Sequence, residues 1–326
     1  MLDPRTESYA AELARMIQME TISTPDQPDK TKFYQFHDLL RELFPQLFAV
    51  CTHEDFDGSF LLRWKGSGEG LPILLMNHHD VVEAPGQWTH PPFSGTIADG
   101  KLWGRGTLDT KGGLWAMLRA ADDLAGEDFV PNQDIYFLST CTEEQEGSGG
   151  DHISQVLQDR GIRFAMVLDE GGMILTEPIG GAKGTFAMVG VGEKGCADLK
   201  FIARSNGGHA STPGKDTPLV RLGKFMAAVE KSNLFQAEIS PTIHAMFSCL
   251  STSMSGPMKL VLGHSRLFRG LLLKVMPLVS GTANAMLKTT IAFTMASGSQ
   301  GTNVLPQAKK SALFICKYTD SCGRIS

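Results

Sequence analysis

The stretch that most constrains the fold of this chain is Pro72 to Asp80, PILLMNHHD, where an apolar run ends abruptly in His78, His79 and Asp80. Such a run suits a strand covered on both faces, as in a parallel or mixed sheet. In open α/β sheets, functional groups gather just beyond the carboxyl ends of such strands. His78 and Asp80 lie two residues apart, so in extended backbone their side chains point the same way and the carboxylate can orient the imidazole. An imidazole held in that manner is a prepared metal ligand. Alone, the segment reads equally well as a polar loop after a strand.

The pattern recurs downstream. DIYFLSTC (Asp134 to Cys141) reads as a buried strand ending in Thr142, Glu143 and Glu144, and FAMVL (Phe164 to Leu168) as a third, ending in Asp169 and Glu170. At a fourth junction, a short strand ending at Leu102 and Trp103 passes through Gly104 and Gly106 to Asp109, ahead of a helix expected over Thr110 to Leu124. A helix N-terminus favours negative charge, although a lone Asp there is most often a cap. Adjacent carboxylates at the end of a buried strand repel one another unless protons or cations compensate them. Together these residues resemble an oxygen- and imidazole-rich site for two hard or borderline divalent ions.

The remaining chain supplies context. Helical periodicity marks residues 7–20 and 32–48, and Phe60 to Trp64 reads as a strand. The long loop from Val81 to Lys101 is of a kind that more often carries function than not. Near Lys194 the texture changes. An alternating strand, the polar loop SNGGHASTPGKDTP, an amphipathic helix over 217–231, a Met- and Leu-rich helical region over 241–280 and a strand over 285–295 suggest an inserted α+β domain. A net charge of -5 offers no basic field for nucleic acid, and the weak cluster of Arg266, Arg269 and Lys274 reads as a solvated face. No stretch is long and apolar enough for a membrane span, and no secretory signal pattern opens the chain. The six scattered cysteines form no zinc or disulfide pattern, so reduced thiols in the cytoplasm are expected.

NHHDVVE, GRGTLDTKGG, CTEEQEGSGG, LDEGG and GGHASTP, in this order, resemble the M20 family of metallopeptidases. TANAMLKTTIAFTM and GTNVLP make the chain most similar to the carboxypeptidase S / Gly-X carboxypeptidase branch, which is related to aminoacylases and succinyl-diaminopimelate desuccinylase. The resemblance implies an α/β catalytic domain with a mixed sheet flanked by helices, at residues 1–193. An inserted α+β lid and dimerisation domain follows at 194–309, and 310–326 reads as an atypical C-terminal tail. It implies two Zn2+ ions: His78 on the first, Asp109 bridging, Glu144 on the second, and Glu170, or alternatively Asp169, completing the first. Asp80 would orient His78, Glu143 would be the general base, and His209 would reach the partner subunit's site. His79 has no role in that scheme and reads as packed or solvated.

The implied substrate is a small peptide or an N-acyl amino acid, cleaved at its amide bond by a metal-bridging water, in a homodimer with neither nucleic acid nor membrane as partner. The alternatives are a deacylase of amino-acid metabolism and a catalytically incomplete fragment serving as a dimerisation partner. The second rests on a departure from the family pattern. After GTNVLPQAKK the family continues with further catalytic-domain strands and a last histidine for the second zinc, whereas SALFICKYTDSCGRIS does not continue that pattern. The expectation is a C-terminally truncated chain whose second metal position lacks a ligand.

Overall fold

The computed structural model describes residues 5–25, 27–145, 147–179, 181–192, 194–232, 234–279, 281–307 and 312–320. The chain divides into two compact units, Met1–Glu170 and Gly171–Ser326. In the first, helices α1 (Arg5–Gln18), α2 (Thr31–Leu43) and α3 (Pro45–Val50) precede strands β1 (Cys51–Phe56), β2 (Ser59–Trp64) and β3 (Ile73–His78). A hairpin, β4 (Thr96–Ala98) and β5 (Lys101–Trp103), leads to α4 (Lys111–Gly126), β6 (Ile135–Thr140), α5 (Gly149–Asp159) and β7 (Met166–Leu168). The single helix expected over 32–48 is two, because Pro45 cannot continue α2 and instead opens α3 at its first turn.

The sheet order is β1-β2-β6-β3-β7. β1–β2 and β2–β6 are antiparallel, whereas β6–β3 and β3–β7 are parallel. The carboxyl ends of β3, β6 and β7 therefore lie along one edge, with His78 opposite Thr140. Both faces of the sheet are covered. Leu75 packs with the α1–α4 core of Phe36, Leu40, Leu114 and Leu118, and Leu74 packs on the other side with Tyr136, Ile153 and Leu157. Two sequence expectations change. Met166, Val167 and Leu168 are about half exposed at the sheet edge, so the third apolar strand is not buried. The strand expected over 285–295 starts only at Thr290, because residues 281–287 are helical.

Adjacent positions of β3 face opposite sides of the sheet. His79, the next residue, is fully buried, with Nδ1 2.9 Å from Ser139 Oγ and Nε2 3.1 Å from the Gly58 carbonyl. Its ring lies nearly parallel to Phe36 and Phe60. Burial holds its pKa well below the usual imidazole range, so it packs as a neutral residue of the core.

A similar buried imidazole makes a prediction. His37, on α2, has Nδ1 3.0 Å from Asp55 Oδ1, yet burial outweighs that carboxylate and lowers its pKa to about 4. His53 and Arg41 push it the same way. The folded pKa lies below the unfolded one, so stability is intact above about pH 6.5 and is lost as pH falls towards 4. The His37 contribution to that loss is roughly 3 kcal/mol, and His79 adds in the same direction. His37→Gln is expected to flatten the pH dependence of urea unfolding between about pH 7 and about pH 4.5. An unchanged slope would remove His37 as its source.

In the second unit, β8 (Met173–Thr176) and β9 (Thr185–Met188) form a hairpin. β10 (Gly195–Ala203), β11 (Asn206–His209), α6 (Pro218–Lys231), α7 (Pro241–Ser251), α8 (Gly256–Gly263), α9 (Arg269–Val279), α10 (Gly281–Leu287), β12 (Thr290–Ser297), β13 (Val304–Gln307) and β14 (Ala312–Asp320) follow. β14, from the stretch read as an atypical tail, is the middle strand of a β10-β14-β12 sheet and is antiparallel to both neighbours. β11 pairs with β13. Residues 310–311 and 321–326 of that tail lie outside the described residues.

Candidate metal centre

His78, at the end of β3, is the centre of the cluster. Its side chain is almost fully buried, and Nδ1 lies 3.0 Å from the Asp80 carbonyl oxygen and 3.4 Å from Asp80 Oδ1. The backbone oxygen is the closer acceptor, so Asp80 orients the ring through main chain and side chain together. With Nδ1 turned to Asp80, Nε2 faces outward, the orientation a metal ligand needs.

Three carboxylates meet that nitrogen. Asp109 Oδ1 lies at 3.1 Å, Glu170 Oε2 at 3.4 Å and Glu143 Oε2 at 3.7 Å. Ligand atoms of His78, Asp109 and Glu144 all fall within 4.8 Å of one another, as do those of His78, Glu143 and Glu170. The four acids come from three loops: Asp109 from the junction before α4, Glu143 and Glu144 from the 3-10 turn after β6, and Glu170 from the end of β7. Asp169 lines the same cavity of about 340 Å³, but its Oδ1 accepts the Glu170 backbone N–H at 2.9 Å, and it is Glu170 that reaches His78.

The electrostatics follow from packing acids together. Burial raises Glu143, with Asp80, Asp109 and Asp169 adding to the rise and His78 opposing it. Burial likewise raises Glu144 and Glu170. His78 moves the other way: burial alone would lower it, but the hydrogen bond to Asp80 and the charges of Glu170, Asp80 and Glu143 outweigh burial and lift it to about 9. This concentration of negative charge around an outward-facing Nε2 calls for a cation there, a proton on the ring itself or a metal ion that would displace that proton. An imidazole with several carboxylates is a donor set suited to a borderline or hard divalent ion.

Asp80 also does work not evident from the sequence. It accepts Ser23 Oγ–H at 2.7 Å and the backbone N–H groups of Glu143 at 3.3 Å and Glu144 at 3.1 Å. One fully buried carboxylate thus ties the His78 strand to the turn that carries both glutamates. Lys111 was equally missed. It is fully buried at the start of α4, donates to the carbonyls of Met16 and Met19, and lies over the Phe36 ring. A signal existed, since a cation in the first turn of a helix opposes the helix dipole and needs a reason.

His209 belongs to the second unit, where it ends β11 and is exposed, with Nδ1 2.7 Å from Ser211 Oγ. His244 and His264 line a separate cavity of that unit.

A mixed sheet that gathers one imidazole and several carboxylates at its carboxyl edge defines an α/β protein with a candidate metal centre. This chain belongs to Peptidase family M20/M25/M40, whose family model matches residues 74–303. The Bos taurus N-fatty-acyl-amino acid synthase/hydrolase PM20D1 is 34% identical over 304 residues, 91% of this chain and 60% of that protein. Probable carboxypeptidase S-like 2 of Dictyostelium discoideum is 32% identical over 93% of this chain and 60% of its own. The chain thus spans about 60% of the length of these curated relatives. Among solved structures, the M20 family metallo-carboxypeptidase Sso-CP2 of Sulfolobus solfataricus has a TM-score of 0.63 at 17% identity, over 98% of this chain and 71% of that one. Human carnosine dipeptidase 1 has a TM-score of 0.61 at 14% identity, over 97% and 70%. These two support the fold.

Proposed function

We propose that this protein is a zinc-dependent hydrolase of the amide bond in N-acyl amino acids or small peptides. The observation that carries the reading is His78 Nε2, turned outward by Asp80 and faced by Asp109, Glu143 and Glu170 within 3.1–3.7 Å. His78, Asp109, Glu144 and Glu170 would hold the metal, and Asp109 would be the residue shared if two ions bind. A divalent ion held there supplies Lewis-acid polarisation of the carbonyl and acidification of water. Glu143, held by its backbone to Asp80, takes a proton from the attacking water and returns it to the leaving amine as the C–N bond breaks. His209 is assigned to the developing oxyanion or the substrate carboxylate, from the neighbouring subunit of a homodimer. The names of the bovine and Dictyostelium relatives support N-acyl amino acids and C-terminal peptide bonds as the two substrate classes. The free cysteines Cys51, Cys141 and Cys249 fit a cytoplasmic location.

The test is a panel of N-acyl amino acids and dipeptides assayed for amino-acid release, with bound metal measured by elemental analysis. Turnover that is lost with chelator and restored by zinc is expected, along with loss of metal in His78→Ala. Turnover indifferent to chelator, or a His78→Ala variant that keeps full metal content, would overturn the assignment.

A further inference from the structure

The second unit carries a helix whose outward face is apolar. In α9 and the turn before it, Phe268, Leu272, Leu273 and Met276 face the unit's own core. The opposite face is also apolar. Leu267, Leu271, Val275 and Leu278 recur at helical spacing, and Leu267 and Leu278 are 79% and 86% exposed. A helix that is apolar all round is normally covered by protein or lipid. α8 extends the patch with the exposed residues Met258 and Leu260.

The charge carried by these two helices and the turn between them has one sign. From Ile239 to Thr319 the sequence contains no Asp or Glu but eight Lys and Arg, in a chain whose net charge is -5. Four of them, Lys259, Arg266, Arg269 and Lys274, lie exposed among the leucines of α8 and α9. Beside them opens a cavity of about 430 Å³, lined by His244, Ser248, His264, Ser265 and Arg266. The His244 pKa is lowered by burial and then by Arg266 and Arg269, as a locally positive field requires.

We propose that α8 and α9 form a docking surface for an anionic phospholipid bilayer, with the leucines entering the acyl boundary and the cavity beside Arg266 receiving a lipid phosphate. Exposed apolar side chains interleaved with cations are the signature of interfacial helices. The charge decides between occupants. A second copy seated on the same face would bring like charges together, whereas an anionic membrane surface complements them. No helix among the described residues is long and apolar enough to cross a membrane. Docking on a surface needs no such helix, and the proposal departs from the sequence expectation of no membrane partner. The basic cluster around Arg266 that read as a merely solvated face becomes part of this surface.

The experiment is vesicle flotation of the full chain, which requires no turnover and so stands apart from the hydrolase reading. Phosphatidylcholine vesicles are compared with the same vesicles containing phosphatidylglycerol. The chain is expected to float with the anionic vesicles and to be released by added salt. Arg266→Gln with Lys274→Gln is expected to weaken partitioning about 30-fold, taking each cation near the surface at its usual worth. Leu267→Ser with Leu278→Ser, both at exposed positions, is expected to weaken it by at least about tenfold. Equal flotation on both vesicles, or none, overturns the proposal. A dimer seen by sedimentation, broken by Leu278→Ser in a chain that binds no vesicle, assigns the face to a second copy and overturns it also.

Discussion

Replacing Glu143 with Gln is expected to lower kcat/KM for amide hydrolysis by about 10²–10⁴-fold while leaving metal content unchanged. The two effects separate because of where Glu143 sits. Its backbone N–H is held by Asp80 Oδ1 and its Oε2 lies 3.7 Å from His78 Nε2, the longest of the three carboxylate approaches. Its side chain is half exposed, open to a water molecule, whereas that of Glu170 is less accessible. Burial raises the Glu143 pKa, as do the neighbouring Asp80, Asp109 and Asp169, while His78 opposes them. A carboxyl group raised above its ordinary range is better matched to accept and return a proton near neutral pH. Gln preserves size and polarity but cannot carry that proton. Elemental analysis beside steady-state kinetics checks the outcome. Metal lost in proportion to activity would make Glu143 a ligand, and full activity would remove it from the reaction.

The second large effect is expected in stability. Lys111→Met should cost roughly 2 kcal/mol, read from urea unfolding. The shape of the side chain is nearly kept, so the loss isolates its polar contacts. Lys111 Nζ donates to the Met16 carbonyl at 3.0 Å and the Met19 carbonyl at 2.7 Å, which end α1 and begin the following turn. Both acceptors lose their charged donor in the variant, a hydrogen bond worth about 1.5–3 kcal/mol each, and each keeps one backbone N–H, that of Met19 on the Met16 carbonyl and that of Thr21 on the Met19 carbonyl. The cation over the Phe36 ring is lost as well. Against this, the buried ammonium no longer has to be desolvated, a cost that pushes the Lys111 pKa down to about 7. The expected net loss is what remains after that offset. Lys111→Arg is too large for the fully enclosed site and is expected to destabilise too. A Lys111→Met variant as stable as the parent would show that the backbone N–H groups of Met19 and Thr21 satisfy the two carbonyls without the ammonium.

Much of this site is legible in the chain because its strands announce themselves. β3 and β6 are apolar enough that their ends are visible, and the residues just past them are His78 and the Glu143–Glu144 pair. Asp109 is legible for a different reason, since Gly104 and Gly106 adopt positive φ in the tight turns that lead to it. The third strand was harder. Only Met166 to Leu168 pair with β3, at a half-exposed edge, and two neighbouring acids follow it. Period and polarity cannot say which of Asp169 and Glu170 turns inward. In the structure it is Glu170 that lies beside His78, while Asp169 accepts its neighbour's N–H.

What the sequence by itself determined is the edge of the sheet at which the acids and the imidazole collect, because alternation and apolar runs are local properties of the chain. What only the tertiary structure decided is how those groups are held. Ser23 and Lys111 lie far from one another and from Asp80 in sequence, and nothing in their immediate neighbours reveals that Ser23 hydrogen-bonds Asp80 or that Lys111 caps α1. The same holds for α9, whose two apolar faces look alike in the sequence. Which of them is buried depends on what packs against it, and hydrophobic burial is settled by contacts between distant segments rather than by periodicity along one.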